Sequence, residues 1–400
     1  MAKRLNGEGS FTERPNGTWQ ARWAYVDESG ITKRLSFYGA TQAEARAKMN
    51  AARARVAEGR PAKDAAMTVA AWCTFWAANS LEASSRREST RALMRSLLGS
   101  HVIGSSLGAI PLAKLRASHV DVWLVELRRR TKARDGVQVP ALSDATIQRI
   151  FRTLRVALDG AVRDGLLGRN PVSLVEQPSA ERREARVLTA DEVVAILAAA
   201  AVMDDERAQR NERRSHAYAL LAVIAATGLR KGEALALRWQ DVDLDAGTIA
   251  VRGTLSRLGG RLIVTPPKTR ASRRVLAPSD GVIRLLRAHR TAQLEDRMRA
   301  ANVWENSGHV FTTAAGAPLD PRNALRSFTM AAQRAGVAGA SVHTLRHSAA
   351  TAMLDSGVNL KAVSQLLGHA GTQITADVYA HLTASTARKA MDELGVAFGL

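Results

Sequence analysis

Between residues 10 and 40, apolar and polar positions alternate with a period of two. In TWQARWAY, Trp19, Ala21, Trp23 and Tyr25 fall on one side, and Gln20 and Arg22 on the other, as in a half-buried strand. GSFTER before it and ITKRLSF after it read as two more strands, with Asn16-Gly17 and Glu28-Ser29-Gly30 as the hairpin turns. Thr41, with Glu44 three residues on, forms a capping box that opens a helix. The pattern predicts a three-stranded sheet backed by one helix, a unit too small to bury much.

The period changes after Gly59-Arg60-Pro61-Ala62-Lys63, which reads as a linker. Val69, Trp72, Phe75 and Trp76 then recur at helical spacing, followed by the polar stretch SLEASSRREST and an apolar run from Leu93. The stretches from Val120 to Arg130 and from Thr146 to Arg163 are each amphipathic at a period of 3.6. Asn170-Pro171 ends this helical part. Past the charged segment PSAERREAR, near residue 180, Thr189 and Glu192 make a second capping box for a helix expected to end near Ala201. Tyr218 to Ala226 reads as a buried helix stopped by Gly228. TIAVRGTL, RLIVTPP and RRVLAPS read as three short strands, and helices are expected over roughly 280–300, 322–335, 343–355, 359–367 and 374–381. The fold class is mainly α with small β-sheets (α+β). It comprises an N-terminal three-stranded sheet plus helix, a helical middle part, and a mixed, mostly helical C-terminal part.

Charge adds a partner class. The 400 residues carry 57 Lys and Arg against 37 Asp and Glu, a formal net charge of +20, spread over the whole chain with no basic tail. Such a chain suits a polyanion touched along its length, and nucleic acid is the foremost candidate; the plainer reading is a basic soluble protein. The cations are mostly Arg, whose planar fork matches phosphate oxygens, although Arg and Ala richness also fits a GC-rich genome. One cysteine, Cys73 in AAWCTFWAA, excludes an internal disulfide framework and a cysteine-based zinc site, and reads as a buried, inert thiol. No signal peptide and no apolar stretch of about 20 residues is present, so a soluble, intracellular chain with no membrane partner is expected. On that charge, the open face of the N-terminal sheet becomes a candidate for a DNA groove; the plainer alternative is a stabilising appendage.

Candidate chemistry lies in the second half. Arg230 in TGLRKGE stands at a helix start, where its fork and the helix N-terminus both favour phosphate, with Glu233 one turn on to hold it. Alone, this is an ordinary helix-surface ion pair. His343 and Arg346 in HTLRHS, at i and i+3, address one face with a proton carrier and a fixed cation, while His347 is read as pointing elsewhere, in packing or capping. Lys268 in PPKTRASRR lies at a hairpin tip that can fold over a phosphate. His369 in LLGHA follows Gly368, which closes a helix, and Tyr379 in TADVYAHL comes ten residues later. A phenol with its pKa near ~10 needs cations or a proton acceptor beside it to attack, and a lone tyrosine late in a helix is ordinarily core.

The joint order decides. Arg230, Lys268, His343-x-x-Arg346, His369 and Tyr379, carried by TGLRKGE, PKT, HTLRHS, LLGHA and VYAH, resemble the tyrosine recombinase (phage integrase) family over about residues 180–395, with no departure at these positions. The helical part resembles the family's core-binding domain less specifically, and the N-terminal part looks like an arm-binding domain by its strand pattern. The resemblance implies an arm-type DNA-binding domain over residues 1–62, a helical, SAM-like core-binding domain over 65–175, and a catalytic domain with a C-terminal tail over 181–400. It implies that Tyr379 attacks a scissile phosphate to form a 3′-phosphotyrosyl link, releasing a 5′-hydroxyl. Arg230 and Arg346 would neutralise the non-bridging oxygens, Lys268 protonate the leaving oxygen, His343 assist proton transfer from the tyrosine, and His369 bond the phosphate. Glu233 would be an organiser, and no cofactor, metal or ATP would be required.

The same resemblance implies site-specific integration, with excision, of a mobile element or prophage through a Holliday junction. Its partners would be double-stranded DNA at core and arm attachment sites, three further copies in a homotetramer, a host DNA-bending protein and an excisionase, in the cytoplasm of a bacterial host and on its chromosome. Arg22, Lys33, Arg149, Arg152 and Arg270 are the DNA-binding candidates. The tail from Ser385 to Leu400, with Ala387, Ala390, Met391 and Leu394 along one face, would pack on a neighbouring protomer. A type IB topoisomerase shares the chemistry without site preference. A DNA-binding regulator with relic residues is the rival from another class, and the intact set of six residues speaks against it.

Overall fold

A computed structural model describes residues 9–26, 32–57, 67–134, 136–181, 186–210, 216–267 and 272–368; for Val26, Lys33, Arg55 and Arg134 it describes the backbone alone. The linker at 59–63, the turn at 28–30 and the expected helix at 374–381 lie outside these residues, as does the tail. The chain divides into two compact units, residues 1–182 and 183–400.

In the first unit, β1 (Ser10–Glu13), β2 (Trp19–Val26) and β3 (Thr32–Gly39) form an antiparallel sheet in that order. Period-two alternation sorts its faces as expected. Ala21 and Trp23 are buried with Ala45, Met49 and Ala52 of α1 (Gln42–Ala57), and Phe11, Trp19, Tyr25, Leu35 and Phe37 close the cluster. Glu44 N–H donates to the Thr41 hydroxyl, and the Glu44 carboxylate accepts from the Ala40 backbone. The opposite face is polar: Gln20 donates to Ser36 Oγ and Tyr38 Oη, and Arg22 donates to Gln20.

The helical part buries a separate core, in which Trp72, Trp76, Trp123 and Phe151 are the largest side chains. Its helices are α2 (Val69–Ala78), α3 (Glu88–Leu98), α4 (Ala117–Arg129) and α5 (Asp144–Arg163). Thr68 caps α2 and Ser143 caps α5. Trp72 Nε1 donates 2.8 Å to the Ala157 carbonyl, so the polar edge of a buried indole is satisfied. Phe75, read as part of the apolar stripe, is half exposed. Cys73 is buried, and burial pushes its thiol up to about 12, so it stays protonated and unreactive. The all-helix reading of this part misses a hairpin, β4 (Thr131–Arg134) and β5 (Val137–Pro140), between α4 and α5.

The second unit is built around α7 (Ala217–Thr227), whose apolar residues run nearly all round the helix and are buried accordingly. It packs against α6 (Ala190–Gln209), α9 (Asp280–Ala300), α10 (Pro321–Arg334) and α11 (Val342–Asp355). The expected end of α6 near Ala201 is wrong by two turns. No breaker follows that residue, and Met203 keeps the buried stripe going. Between α8 (Lys231–Leu235) and α9 come β6 (Val242–Asp243), β7 (Thr248–Val251), β8 (Thr254–Leu258), β9 (Arg261–Thr265) and β10 (Arg274–Leu276). The stretch TIAVRGTL is two strands where one was expected: β7 joins the sheet β10-β7-β6, and β8 leaves it to pair with β9. Gly253 stands at the break, where a Cβ would lie 2.8 Å from Val264 Cγ1 and would crowd that side chain.

The short helix α12 (Leu360–Leu367) packs Val363 and Leu367 against Ala350 and Leu354 of α11. Gly228, which ends α7, has φ +64°, and a Cβ there would lie 2.5 Å from Cδ2 of the fully buried Leu367. Gly228→Ala combines a left-handed backbone with an overlap that the packed leucine cannot relieve. The expected cost is about 2–4 kcal/mol, read as a melting temperature lower by several degrees; an unchanged melting temperature would refute this account. Among the described residues, no helix is long and apolar enough to cross a membrane.

Candidate active site

Two helix starts bring the first residues together. Arg230 is the N-cap of α8, and its own backbone N–H donates to Glu233 Oε2 at 3.1 Å while its Nη1 donates to Oε1 at 2.8 Å. Glu233 is 2% exposed, so the pair is not the surface ion pair that spacing alone suggests. Burial pushes the Glu233 carboxyl up, but hydrogen bonds and charge from Arg274 and Arg230 outweigh it and hold the group below the usual carboxylate range. The acid is therefore ionised at pH 7 and tied to two cations.

Ser341 caps α11 and launches His343 and Arg346 one turn apart. Arg346 is 3% exposed and donates from Nη1 to the Gly228 carbonyl at 2.6 Å and from Nη2 to the Leu367 carbonyl at 2.7 Å. His343 stays at the surface of the helix. Partial burial, then the charges of Arg346 and Arg230, hold its imidazole below the ordinary histidine value, so it is neutral at pH 7 and can accept a proton. His347 does not point away, as read from its position. Its ring meets that of His343 edge-on at 4.9 Å between centroids, because i and i+4 share a helix face.

The feature that organises the site is the last turn of α12. Gly368, at φ +66°, ends that helix. The carbonyls there have no partner inside the helix and carry partial negative charge. Three guanidinium groups take them up. Arg274 Nε donates to Leu366 O at 2.5 Å, Arg346 to Leu367 O, and Arg230 Nη2 to Gly368 O at 3.2 Å, which Ser272 Oγ also approaches at 3.3 Å. The next residue in the chain is His369.

Arg274 was missed in the sequence. Its side chain is 7% exposed, and it also donates to Glu233 Oε2 at 2.9 Å and to the Ser272 carbonyl at 3.2 Å. One side chain thus links β10, α8 and α12. No spacing rule connects residues 233, 274 and 366. The only hint is the basic run Arg270, Arg273 and Arg274, of which Arg270 alone is a DNA-binding candidate by sequence.

Arg230, Glu233, His343 and Arg346 are therefore brought into one site, while Lys268, Arg270, His369 and Tyr379 lie outside the described residues. Strand β9, which leads toward Lys268, is the partner of β8, and β8 runs against α8: a Cβ at Gly232 would lie 2.9 Å from Leu255 O. In the first unit, Arg22 is exposed on the open sheet face. Lys33 pairs through its backbone with Tyr25, and its side chain lies outside the described set; the register carries the row of Gln20 and Arg22 through Ser36 and Arg34. Arg149 and Arg152 are exposed on α5, and Arg152 Nε donates to Gln177 at 3.3 Å. Among the described residues, no group of three or more His, Cys, Asp or Glu side chains is placed to hold a metal ion.

Comparison with known proteins extends the pattern over the chain. The phage integrase family matches residues 186–386. An integrase of Streptomyces ambofaciens is 32% identical over 368 residues, covering 88% of this chain and 86% of its own. A tyrosine recombinase XerC-like protein of Caldanaerobacter subterraneus subsp. tengcongensis is 28% identical over 386 residues, 93% of this chain and 94% of its own. Among solved structures, the Tn1549 transposon integrase in complex with a circular intermediate DNA matches with a TM-score of 0.62 at 21% identity, over 82% of this chain and 99% of that one. A lambda integrase tetramer bound to a Holliday junction matches with a TM-score of 0.57 at 18% identity, over 94% of this chain and 96% of that one. These two likenesses speak for the fold, and the sequence matches speak for descent. With Arg230, His343 and Arg346 gathered at the turn before His369, the chain belongs to the phage integrase family, the tyrosine-type site-specific recombinases.

Proposed function

We propose that this chain integrates and excises a mobile element by cutting and rejoining double-stranded DNA at specific sites, with Tyr379 as nucleophile. The observation that carries this reading is the convergence of Arg230, Arg346 and His343, from two helices, beside the α12 turn that leads into His369. A phosphodiester bound there meets two fixed cations and a neutral imidazole. The Tyr379 oxygen attacks phosphorus and its proton passes to His343. The bond to the 5′-oxygen breaks, and that oxygen takes a proton from Lys268. The non-bridging charge of the pentavalent transition state falls on Arg230 and Arg346, and His369 donates to the same phosphate. The phosphotyrosyl link keeps the bond energy, so a 5′-hydroxyl from a second duplex can reverse the step, passing through a Holliday junction. Glu233 and Arg274 do not reach the substrate; they fix Arg230 and the α12 turn.

Three domains divide the work: residues 1–62 on arm sites, 65–175 and 181–400 on the core site, in a homotetramer on DNA. The lambda integrase tetramer on a Holliday junction is the model for that assembly. The tail from Ser385 to Leu400 docks on a neighbouring protomer, and a host DNA-bending protein and an excisionase set direction. The work takes place on the chromosome in the cytoplasm of a bacterial host. Arg22, Lys33, Arg149, Arg152 and Arg270 contribute DNA contacts.

The test is a nicked duplex carrying the junction sequence of the element that encodes the chain, incubated with full-length protein in EDTA and without ATP. A covalent protein–DNA adduct at one phosphate is expected. Absence of the adduct, or site-blind relaxation of a supercoiled plasmid, would overturn the reading. Removing residues 1–62 should abolish binding to distal arm sites while leaving adduct formation at the core site. Loss of both would make that segment part of the core clamp.

A further inference from the structure

The β4–β5 hairpin is the least explained element of the first unit. It follows directly on the end of α4, within Arg128-Arg129-Arg130-Thr131-Lys132-Ala133-Arg134, five cations in seven residues. Its register is tight, from Thr131 against Pro140 to Arg134 against Val137, with Gly136 at φ +78° in the turn. Ala141 N–H closes its base on the Arg130 carbonyl at 2.8 Å. Yet Thr131, Lys132, Ala133, Gly136, Val137, Gln138 and Pro140 are all exposed, on both faces, and Val137 is 62% exposed beside the turn. A two-stranded hairpin gains little stability by itself, and this one contributes almost nothing to the core beside it.

Its cations also differ from their neighbours. Arg91 and Arg95 of the same helical part are paired with Glu82 and Glu88, and Arg130 is engaged by the His101 ring. Arg128, Arg129 and Lys132 are exposed and have no carboxylate partner among the described residues. On the adjoining face of α4, the exposed Val122 and Val125 share a stripe with Arg129. The nearest acid on that helix segment, Glu126, accepts from Ser106 Oγ. Unpaired cations at the root of a bare ribbon, with apolar groups beside them, complement a duplex: phosphates for the cations and base edges for the ribbon. Two strands about 5 Å apart fit within a major groove about 12 Å wide.

We propose that residues 128–140 form a DNA-reading finger, in which Arg128, Arg129 and Lys132 hold phosphates and the hairpin tip at Val137 enters the major groove. This rests on the recombinase reading above and adds a specificity element to it. Phosphate contacts set position and the tip contacts bases, so the two roles separate on mutation.

The test uses full-length protein with R129A/K132A, and separately Val137→Ser. Binding to a fluorescent random-sequence duplex of about 30 base pairs is measured across a salt series, where each lost phosphate contact lowers the slope of log K against log salt by about 0.9. R129A/K132A should flatten that slope by roughly 2 with an unchanged melting temperature. Selection from a randomised duplex pool should give Val137→Ser a motif lacking base preference in one contiguous block, with the rest of the motif retained. An unchanged slope overturns the proposal, as does an altered oligomeric state without a change in slope, which would make the finger a protein contact. A flattened slope with a fully retained motif overturns the groove insertion. Wild-type protein that forms the covalent adduct while both variants behave like it sinks the finger alone; wild-type protein that binds no duplex sinks the recombinase reading itself.

Discussion

Tyr379→Phe protein is expected to bind its duplex with wild-type affinity and form no covalent adduct, a loss of about four orders of magnitude or more. The substitution removes one oxygen, and no other group in the set can replace it. On the proposed reading His343 moves a proton, and the arginines carry no lone pair to attack with. The contrast between unchanged binding and absent chemistry is what identifies a nucleophile, since a core tyrosine would lower the melting temperature and leave the rate of the surviving fold intact. Denaturing gels after incubation with the nicked duplex, beside a binding isotherm, read both quantities. A phenylalanine variant that still forms the adduct would move the nucleophile elsewhere.

Arg346→Ala should slow adduct formation by about a thousand-fold or more, while the dissociation constant for the duplex changes by less than about ten-fold. Removing a fixed donor from a developing phosphate charge costs two to three orders of magnitude in related settings, and this residue does more than donate. Without it, the buried carbonyls of Gly228 and Leu367 lose their partner, a penalty of about 1–3 kcal/mol each. Arg346→Lys restores a charge but not the fork that spans both carbonyls, so it should recover only part of the rate. Arg274→Ala is the informative comparison. That side chain is bonded to Glu233, Ser272 and Leu366; on the proposed reading it acts on the phosphate through them, so its loss should cost about a hundred-fold, the scale of a small misplacement. Equal losses for the two arginines, measured as single-turnover rates with saturating duplex, would contradict this division of roles.

How far the sequence could be read depended on the distance over which each signal acts. Short-range signals were legible. Alternation placed β1 to β3, the Thr189–Glu192 box placed the start of α6, and Gly228 placed the end of α7. His343 and Arg346 share a helix face because three residues make nearly a turn. What failed was either an absent stop signal or a contact between distant segments. The end of α6 was misplaced because nothing after Ala201 breaks a helix. The β4–β5 hairpin was absorbed into the helices around it, although Asp135-Gly136 is a strong turn pair. Arg274 was invisible because it recognises backbone carbonyls, and a carbonyl leaves no mark on residue identity. Nor does the one-letter string show that Glu233 is buried, which is what separates an organising carboxylate from a surface partner.

The α12 turn has a consequence for timing. Arg230 and Arg346 hold the carbonyls of Gly368 and Leu367, and a phosphate arriving at the same guanidinium groups must share them with that backbone. On the proposed reading, binding is therefore felt in the backbone at the end of α12 as soon as either guanidinium turns toward a phosphate, because each releases part of its hold on a carbonyl that the helix itself leaves unpaired.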